Sequence, residues 1–392
     1  MWNRKFRSWL VVVAVFGIVA AACGGDGDGG ASATTGAAGG EGSIWVLLPD
    51  TESSTRWEED DRVYFTQAFE AAGLVDGEDF TIVNAEGDAA TQQSQAEQAI
   101  ADGASVIVLT SIDTGSGAAI IDQAAAEDIA VLEYDRFNTG GAGGAAYVSF
   151  DNVAVGATMA TVMEPVIDSL GLDKVRVVEL NGGEEDNNSF LFKAGYDATV
   201  QKRVAAGDWE LVADQHVPGW DNQEAQTIME QILVDTDNGV DAVFAANDGL
   251  AASSINAIQA AGMDPVPVSG QDATAVGMQN ILLGLQTMSV YKPIKQEAGL
   301  AAAVALALRA GEDILTADFA PYEYSLIGIE AATGQPTDSA EGDGVVPYFG
   351  LVPIGVTEAN MADTVIADGF RTVEEICTGD VADTTWCKDN AA

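Results

Sequence analysis

Basic residues are scarce in this chain. It carries 16 Lys and Arg against 61 Asp and Glu in 392 residues, a formal charge of −45. A surface that negative repels phosphate backbones and argues against nucleic acid as a partner. There is one histidine, His216, and there are three cysteines. This scarcity removes His-centred triads, multi-histidine metal sites and zinc ribbons. What is plentiful is apolar mass, 47% of the residues, and at roughly 150 residues per domain the length predicts two domains.

The first 43 residues read as an export signal and a tether. Arg4, Lys5 and Arg7 precede an apolar and small-residue run of 14, Trp9 to Ala22, too short to span a bilayer as a mature helix. The run ends in Ala20-Ala21-Ala22-Cys23. That ending resembles the bacterial lipoprotein signal, which implies removal of residues 1–22 and a lipidated Cys23 on the outer face of the cell membrane. Ala20 stands where such signals usually carry leucine; the alternative is an ordinary signal peptide cut at an Ala-x-Ala site. Residues 24–43 hold nine glycines and no large apolar side chain, so segment 23–43 is expected to be a disordered linker. Twenty such residues span about 25 Å. The acidic body would not adhere to anionic lipid by charge, so its attachment has to be covalent. Cys377 and Cys387 lie in a turn-rich stretch of an exported chain, where a disulfide is the default pairing.

From residue 44 onward, short apolar strand candidates alternate with longer helical stretches. The strand candidates include 44–49, 80–85, 105–110, 129–134, 146–150, 175–180, 240–246 and 287–291. The helix candidates include 60–73, 116–127, 152–170, 189–206 and 250–261. Repeated β-α-β units with near-continuous apolar strands predict an α/β protein with parallel sheets, best arranged as two doubly wound Rossmann-like lobes. In such sheets ligands lie beyond the carboxyl ends of the strands. Those ends here present Asp50, Asp113, Asp135-Arg136, Asn188, Trp220, Asn247-Asp248, Asp272 and Lys292. Carboxylates, amides and guanidiniums suit vicinal hydroxyls, and an indole suits the C–H face of a sugar ring. Asp113, Asp151 and Asp248 are read as helix-cap and turn residues instead.

The runs TRWEEDDR (55–62), YDR (134–136), SFDN (149–152), DNN (186–188), GW (219–220), ND (247–248), SGQDA (269–273) and QTMSVYKP (286–293) occur in that order. Together they resemble the periplasmic xylose-binding proteins of sugar ABC importers, within the type I periplasmic-binding-protein superfamily. The resemblance covers residues 44–372. It implies two lobes joined by a three-segment hinge: 44–151 plus 293–325, and 152–292 plus 326–372, with a disulfide-bearing tail at 373–392. It also implies a monosaccharide ligand, D-xylose first and glucose, galactose or arabinose as alternatives. Arg56, Trp57, Asp135, Arg136, Asn188, Trp220, Asn247, Asp272 and Lys292 would hold it. The implied partners are an ABC permease with its ATPase and a chemoreceptor, the chain itself acting as a monomer without cofactor or catalysis. Hinge crossings are expected at 150–152 and 291–293, with the third between 323 and 350. One departure is an extra residue between Arg56-Trp57 and Asp61-Arg62, which points to Arg62 as a structural partner.

Other classes are weaker. Gly115-Ser116-Gly117 opens a helix after a strand, but Ile120 stands where a dinucleotide fingerprint needs its third glycine. Asp135 and Asp272 could serve an exported glycosidase. The run Asp235 to Gly239 has its glycine one place early for a calcium loop.

Overall fold

The computed structural model describes residues 42–390. The proposed signal, Cys23 and nearly all of the linker lie outside the described residues. In chain order the first elements are β1 (Ser43–Leu48), α1 (Arg62–Ala71), β2 (Phe80–Asn84), α2 (Ala89–Ala101), β3 (Ala104–Leu109), α3 (Thr114–Ala125), β4 (Ala130–Tyr134) and β5 (Ala146–Phe150). Next come α4 (Asn152–Asp168), β6 (Val175–Asn181), α5 (Asn187–Ala206), β7 (Trp209–His216), α6 (Asn222–Asp235), β8 (Ala242–Ala245), α7 (Asp248–Ala260), α8 (Ala275–Leu282) and β9 (Ser289–Tyr291). The chain ends with α9 (Ile294–Ala310), β10 (Ser325–Glu330), β11 (Pro336–Thr337), β12 (Val345–Leu351), β13 (Ile354–Val356), α10 (Val373–Ile376) and α11 (Thr385–Asn390).

The first lobe is an eight-stranded sheet in the order β11-β10-β12-β5-β4-β3-β1-β2. Its central strands are buried on both faces, as SIWVLL and ASVIVL require. The second lobe centres on β7-β6-β8. Single bridges from Val243 to Val268 and from Gln271 to Val290 carry that sheet on to β9, which pairs with β13. Residues 266–270 make only the bridge at Val268. Helices follow the strands, and their first turns are capped by Asp113, Asp151, Asp186, Asp221 and Asn247, whose side chains accept backbone N–H groups.

One expected boundary needs correction. Residues 326–351 belong to the first lobe, because β10 pairs antiparallel with β12, and β12 runs parallel to β5. The Gly/Asp/Ser-rich segment 333–344 is the loop of this edge hairpin, with β11 in it. The third crossing therefore falls between Leu351 and Ile354. There Leu351 pairs with Phe150 and Ile354 with Tyr291, so the chain passes between the lobes at three neighbouring places. The tail is not separate either: Ile376, Val381 and Trp386 are buried against Met278, Ile281 and Phe370 of the second lobe. The Cys377–Cys387 disulfide closes that tail.

Candidate functional site

Arg56, Trp57, Asp135, Arg136, Asn188, Trp220, Asn247, Asp272 and Lys292 all line one cavity between the lobes. Ser53, Ser54, Asp186, Phe192 and Gln271 line it too. These five were not singled out from the sequence as site residues. Gln271 sits in SGQDA and Asp186 in DNN; Phe192 is one helical turn beyond Asn188, so α5 carries both to the cleft. Gly156 and Gly195 let α5 approach α4 closely, since a Cβ on Gly156 would lie 1.9 Å from the Phe192 carbonyl oxygen.

The first-lobe wall is an ion network. Arg56 ends one strand-to-helix loop, and the residues after it, Trp57–Asp61, form a π-helical turn. Such a turn absorbs one residue more than an α-turn, which accounts for the extra residue in this motif. Arg56 donates from Nε and Nη2 to the two Asp61 oxygens at 2.9 Å each, from Nη1 to Asp135 at 2.9 Å and from Nη2 to Glu297 at 3.0 Å. Burial alone would lower its pKa, but Asp61, Asp135 and Glu297 together hold it well above the ordinary arginine value. Glu297 was missed. Its signal was the one carboxylate of α9, just ahead of a long apolar run, and burial plus the Asp135 charge pushes its pKa up. The Arg56 and Arg136 guanidiniums lie over the Trp57 ring, with Cζ 4.3 and 5.6 Å from its centroid. Arg62 turns away to Glu58 and the Ile82 carbonyl.

Asp135 is the centre of this wall. Its backbone sits at φ 59°, a conformation that a β-carbon disfavours. Its carbonyl is fixed there by the Tyr147 and Ser149 hydroxyls at 2.8 and 2.9 Å and by the Asn188 amide at 2.9 Å. Burial would raise its carboxyl pKa, but Lys292, Arg56 and Arg136 outweigh burial and hold it well below the usual carboxylate range.

The second-lobe wall is built differently. Asp272 and Ala273 also have positive φ, 92° and 46°. The Ala273 N–H donates to Ser289 Oγ at 3.0 Å, and Thr274 donates from both N and Oγ1 to Asp248 at 2.8 and 3.0 Å. Asp248 takes further donors from Gln286 and Ser289, both at 2.8 Å. It is thus a turn residue, the buried support of the turn that carries Asp272, and Asn247 is the helix cap. Burial, with the Asp272 charge, pushes the Asp248 carboxyl up to about 7. Lys292 joins the walls, its Nζ 3.2 Å from Asp135 and 3.7 Å from Asp272 Oδ1. The second distance is too long for a hydrogen bond. Asp272 Oδ1, Gln271 Oε1 and the Trp220 indole N–H are buried without a hydrogen-bond partner among the described residues.

The walls also touch directly. Thr114 donates from N and Oγ1 to the Glu185 carbonyl at 3.1 Å each, and the Asn247 amide reaches the Ser53 carbonyl at 3.3 Å. Behind the cleft, Arg371 makes a two-point ion pair with Asp60 at 3.0 and 2.9 Å, tying the second lobe to the π-helical turn. Elsewhere the calcium-like run is the C-terminal turn of α6, where Asn238 N–H bonds to the Leu233 carbonyl at 2.7 Å. His216 packs beside Phe190.

Two doubly wound lobes with three adjacent crossings and a polar cavity between them define a two-lobed solute-binding protein. The periplasmic binding protein domain matches residues 45–313. A D-xylose-binding periplasmic protein of Escherichia coli (strain K12) is 33% identical over 324 residues, 82% of this chain and 88% of that protein. A multiple sugar-binding periplasmic protein of Azospirillum brasilense is 27% identical over 84% of this chain and 90% of its own length. Among solved structures, a carbohydrate transporter solute-binding protein from Chloroflexus aurantiacus in complex with D-glucose superposes with a TM-score of 0.71 at 23% identity, covering 85% of this chain and 97% of that one. The chain belongs to the periplasmic binding protein family, as a solute-binding protein of the sugar ABC importers and not an enzyme.

Proposed function

We propose that this protein captures one monosaccharide, D-xylose before other sugars, between its lobes and delivers it to an ABC permease while anchored outside the cell membrane through a lipidated Cys23. The observation that carries the ligand reading is the pair of buried carbonyl-type oxygens in the cleft that lack a hydrogen-bond partner among the described residues, Asp272 Oδ1 and Gln271 Oε1. Leaving such groups buried and unpaired costs about 1–3 kcal/mol each, a cost that sugar hydroxyls would relieve. Asp135, Asp272, Arg56, Arg136, Asn188, Asn247 and Lys292 would hold hydroxyls, and Trp220 would cover a C–H face of the ring. Trp57, which lines the cavity and has two guanidiniums near its ring, would be the second aromatic group against the sugar.

Xylose is placed first because a xylose-binding relative shares 33% of its residues with this chain. The ligand would contact both lobes only when they are closed, and so would stabilise that form by its differential contacts. Charge-assisted hydrogen bonds of about 1.5–3 kcal/mol each, less desolvation and closure costs, support affinity at about the micromolar level or tighter. The permease and its ATPase would then receive the closed monomer, and a chemoreceptor could read the same form.

A glycosidase would need one carboxyl with a raised pKa to act as acid. In the Asp135–Asp272 pair read from the sequence, Asp135 is instead held low by Lys292 and the arginines, against the effect of burial. The test is a thermal-shift panel of xylose, arabinose, ribose, glucose, galactose and inositol, with xylose expected to stabilise most. No shift with any sugar at millimolar concentration overturns the reading. Loss of membrane association in Cys23→Ala tests the anchor, and unchanged association counts against it.

A further inference from the structure

Trp220 is held in an unusual seat. It ends a one-turn 3-10 segment, Pro218–Trp220, in which Gly219 has φ 64° and Trp220 φ 56°. Its backbone N–H bonds to the Val217 carbonyl at 3.1 Å, and the Gly219 N–H bonds to Glu185 Oε1 at 2.9 Å. The indole is edge-on to Phe192, with centroids 6.3 Å apart and planes at 70°.

What lies against its six-membered ring is Gly182, just past β6. A Cβ on Gly182 would stand 2.0, 2.2 and 2.4 Å from Cζ2, Cη2 and Cε2 of Trp220. These are three consecutive ring atoms. A point in the ring plane beyond the edge cannot approach all three so closely, so the added carbon would lie over the face of the ring. Non-bonded carbons need about 3.5 Å. Even one methyl group at position 182 would therefore displace the indole by about 1.5 Å.

Gly182 itself cannot retreat. Its carbonyl accepts from His216 Nδ1 at 2.8 Å, which fixes the proton of that imidazole on Nδ1. The neighbouring Asn181 carbonyl accepts from the Val217 N–H at 3.0 Å, continuing the β6–β7 pairing. The indole is the part that must move, and the cavity it lines is the open space before it.

We infer that Gly182 sets the thickness of ligand that the cleft admits. It lets the Trp220 indole lie flat against the β6 backbone, with its opposite face left to the ligand. Gly182 is thus a positioning residue acting through Trp220, and His216 is its anchor. The inference rests on the sugar-binding reading, but the seat is a property of the chain alone and can be tested without ligand.

The experiment is a double-mutant cycle of wild type, Gly182→Ala, Trp220→Phe and both together, read by sugar titration and by ligand-free thermal melting. Phenylalanine lacks the outer ring that meets position 182. Gly182→Ala is expected to lower affinity for the wild type's best sugar at least about tenfold when Trp220 is present and less than about twofold beside Trp220→Phe. The ligand-free melting temperature should fall only where Trp220 is present. If Gly182→Ala alone fails to fold, restored folding of the double variant supports the seat, and failure of both overturns it. Equal losses in the two backgrounds, or no loss in either, overturn the inference. A wild type that binds no sugar overturns the proposed function instead, and the melting cycle still decides whether the seat exists.

Discussion

The two walls of the cleft hold similar side chains in different states. On the first-lobe wall, Arg56 is paired with Asp61, Asp135 and Glu297 before any ligand arrives. On the second-lobe wall, Asp272 Oδ1, Gln271 Oε1 and Trp220 Nε1 lack hydrogen-bond partners among the described residues, and Asp272 Oδ1 has Lys292 Nζ no nearer than 3.7 Å. The Arg56 network therefore makes the first wall a stability element that also faces the cavity, with Arg136 Nε and Glu297 Oε1 its own buried atoms without a hydrogen-bond partner among the described residues, while the second wall has no comparable ion network. Removing a group from the first should cost stability and affinity together; removing one from the second should cost affinity alone.

The sharpest break in that comparison is Asp135→Ala. It would leave Arg56 and Lys292, both buried, short of a carboxylate. Losing one partner of a buried pair costs about 3–5 kcal/mol. The variant should melt well below wild type and show no measurable sugar binding by calorimetry. Next is Asp272→Ala. Its free oxygen makes little of the fold, so affinity should fall about 100-fold while the melting temperature stays within a few °C. Equal melting losses for the two variants would erase the distinction between the walls.

A smaller effect concerns pH. Asp248 has its carboxyl pushed up to about 7, chiefly by burial, against about 3.9 in an unfolded chain. The stability from a raised carboxyl is fully present below the unfolded value and is lost as pH rises through the folded one. Melting temperature should therefore decline from about pH 4 to about pH 7 and level off above it. Glu133 and Glu179, also raised to about 7 by burial, act in the same direction. Asp248→Asn should make the decline shallower, and an unchanged slope would remove Asp248 from the account. Least of all, Arg371→Ala breaks an ion pair behind the cleft. It should widen the ligand-free small-angle scattering profile with under about tenfold change in sugar affinity, since the pair touches no ligand group; an unchanged profile would deny that this pair holds the lobes together.

Much of the cleft's lining was legible because its polar groups sit where strands end. Asp135-Arg136 follows an apolar run, and Asp272 follows another; a parallel sheet brings such ends to one edge. The supporting layer was harder to see. Glu297 lies in a helix after the second crossing and reaches Arg56 only through the tertiary fold. Asp248 looks like any polar residue at a strand end until Thr274, Gln286 and Ser289 are seen to converge on it. The misplaced boundary has the same origin. Alternation of strand and helix reveals βαβ units, whereas β10 and β12 form an antiparallel hairpin, and β12 pairs with β5 across just over two hundred residues of sequence. The π-helical turn was visible as one surplus residue, but its purpose became clear only when Asp60 was found against Arg371.

The most direct trial is an equilibrium titration of the most stabilising monosaccharide into wild type and into the Asp135→Ala/Asp272→Ala double variant. The account predicts one sugar per chain, at about micromolar affinity or tighter, for wild type and none for the double variant. Undiminished binding by the double variant would contradict it.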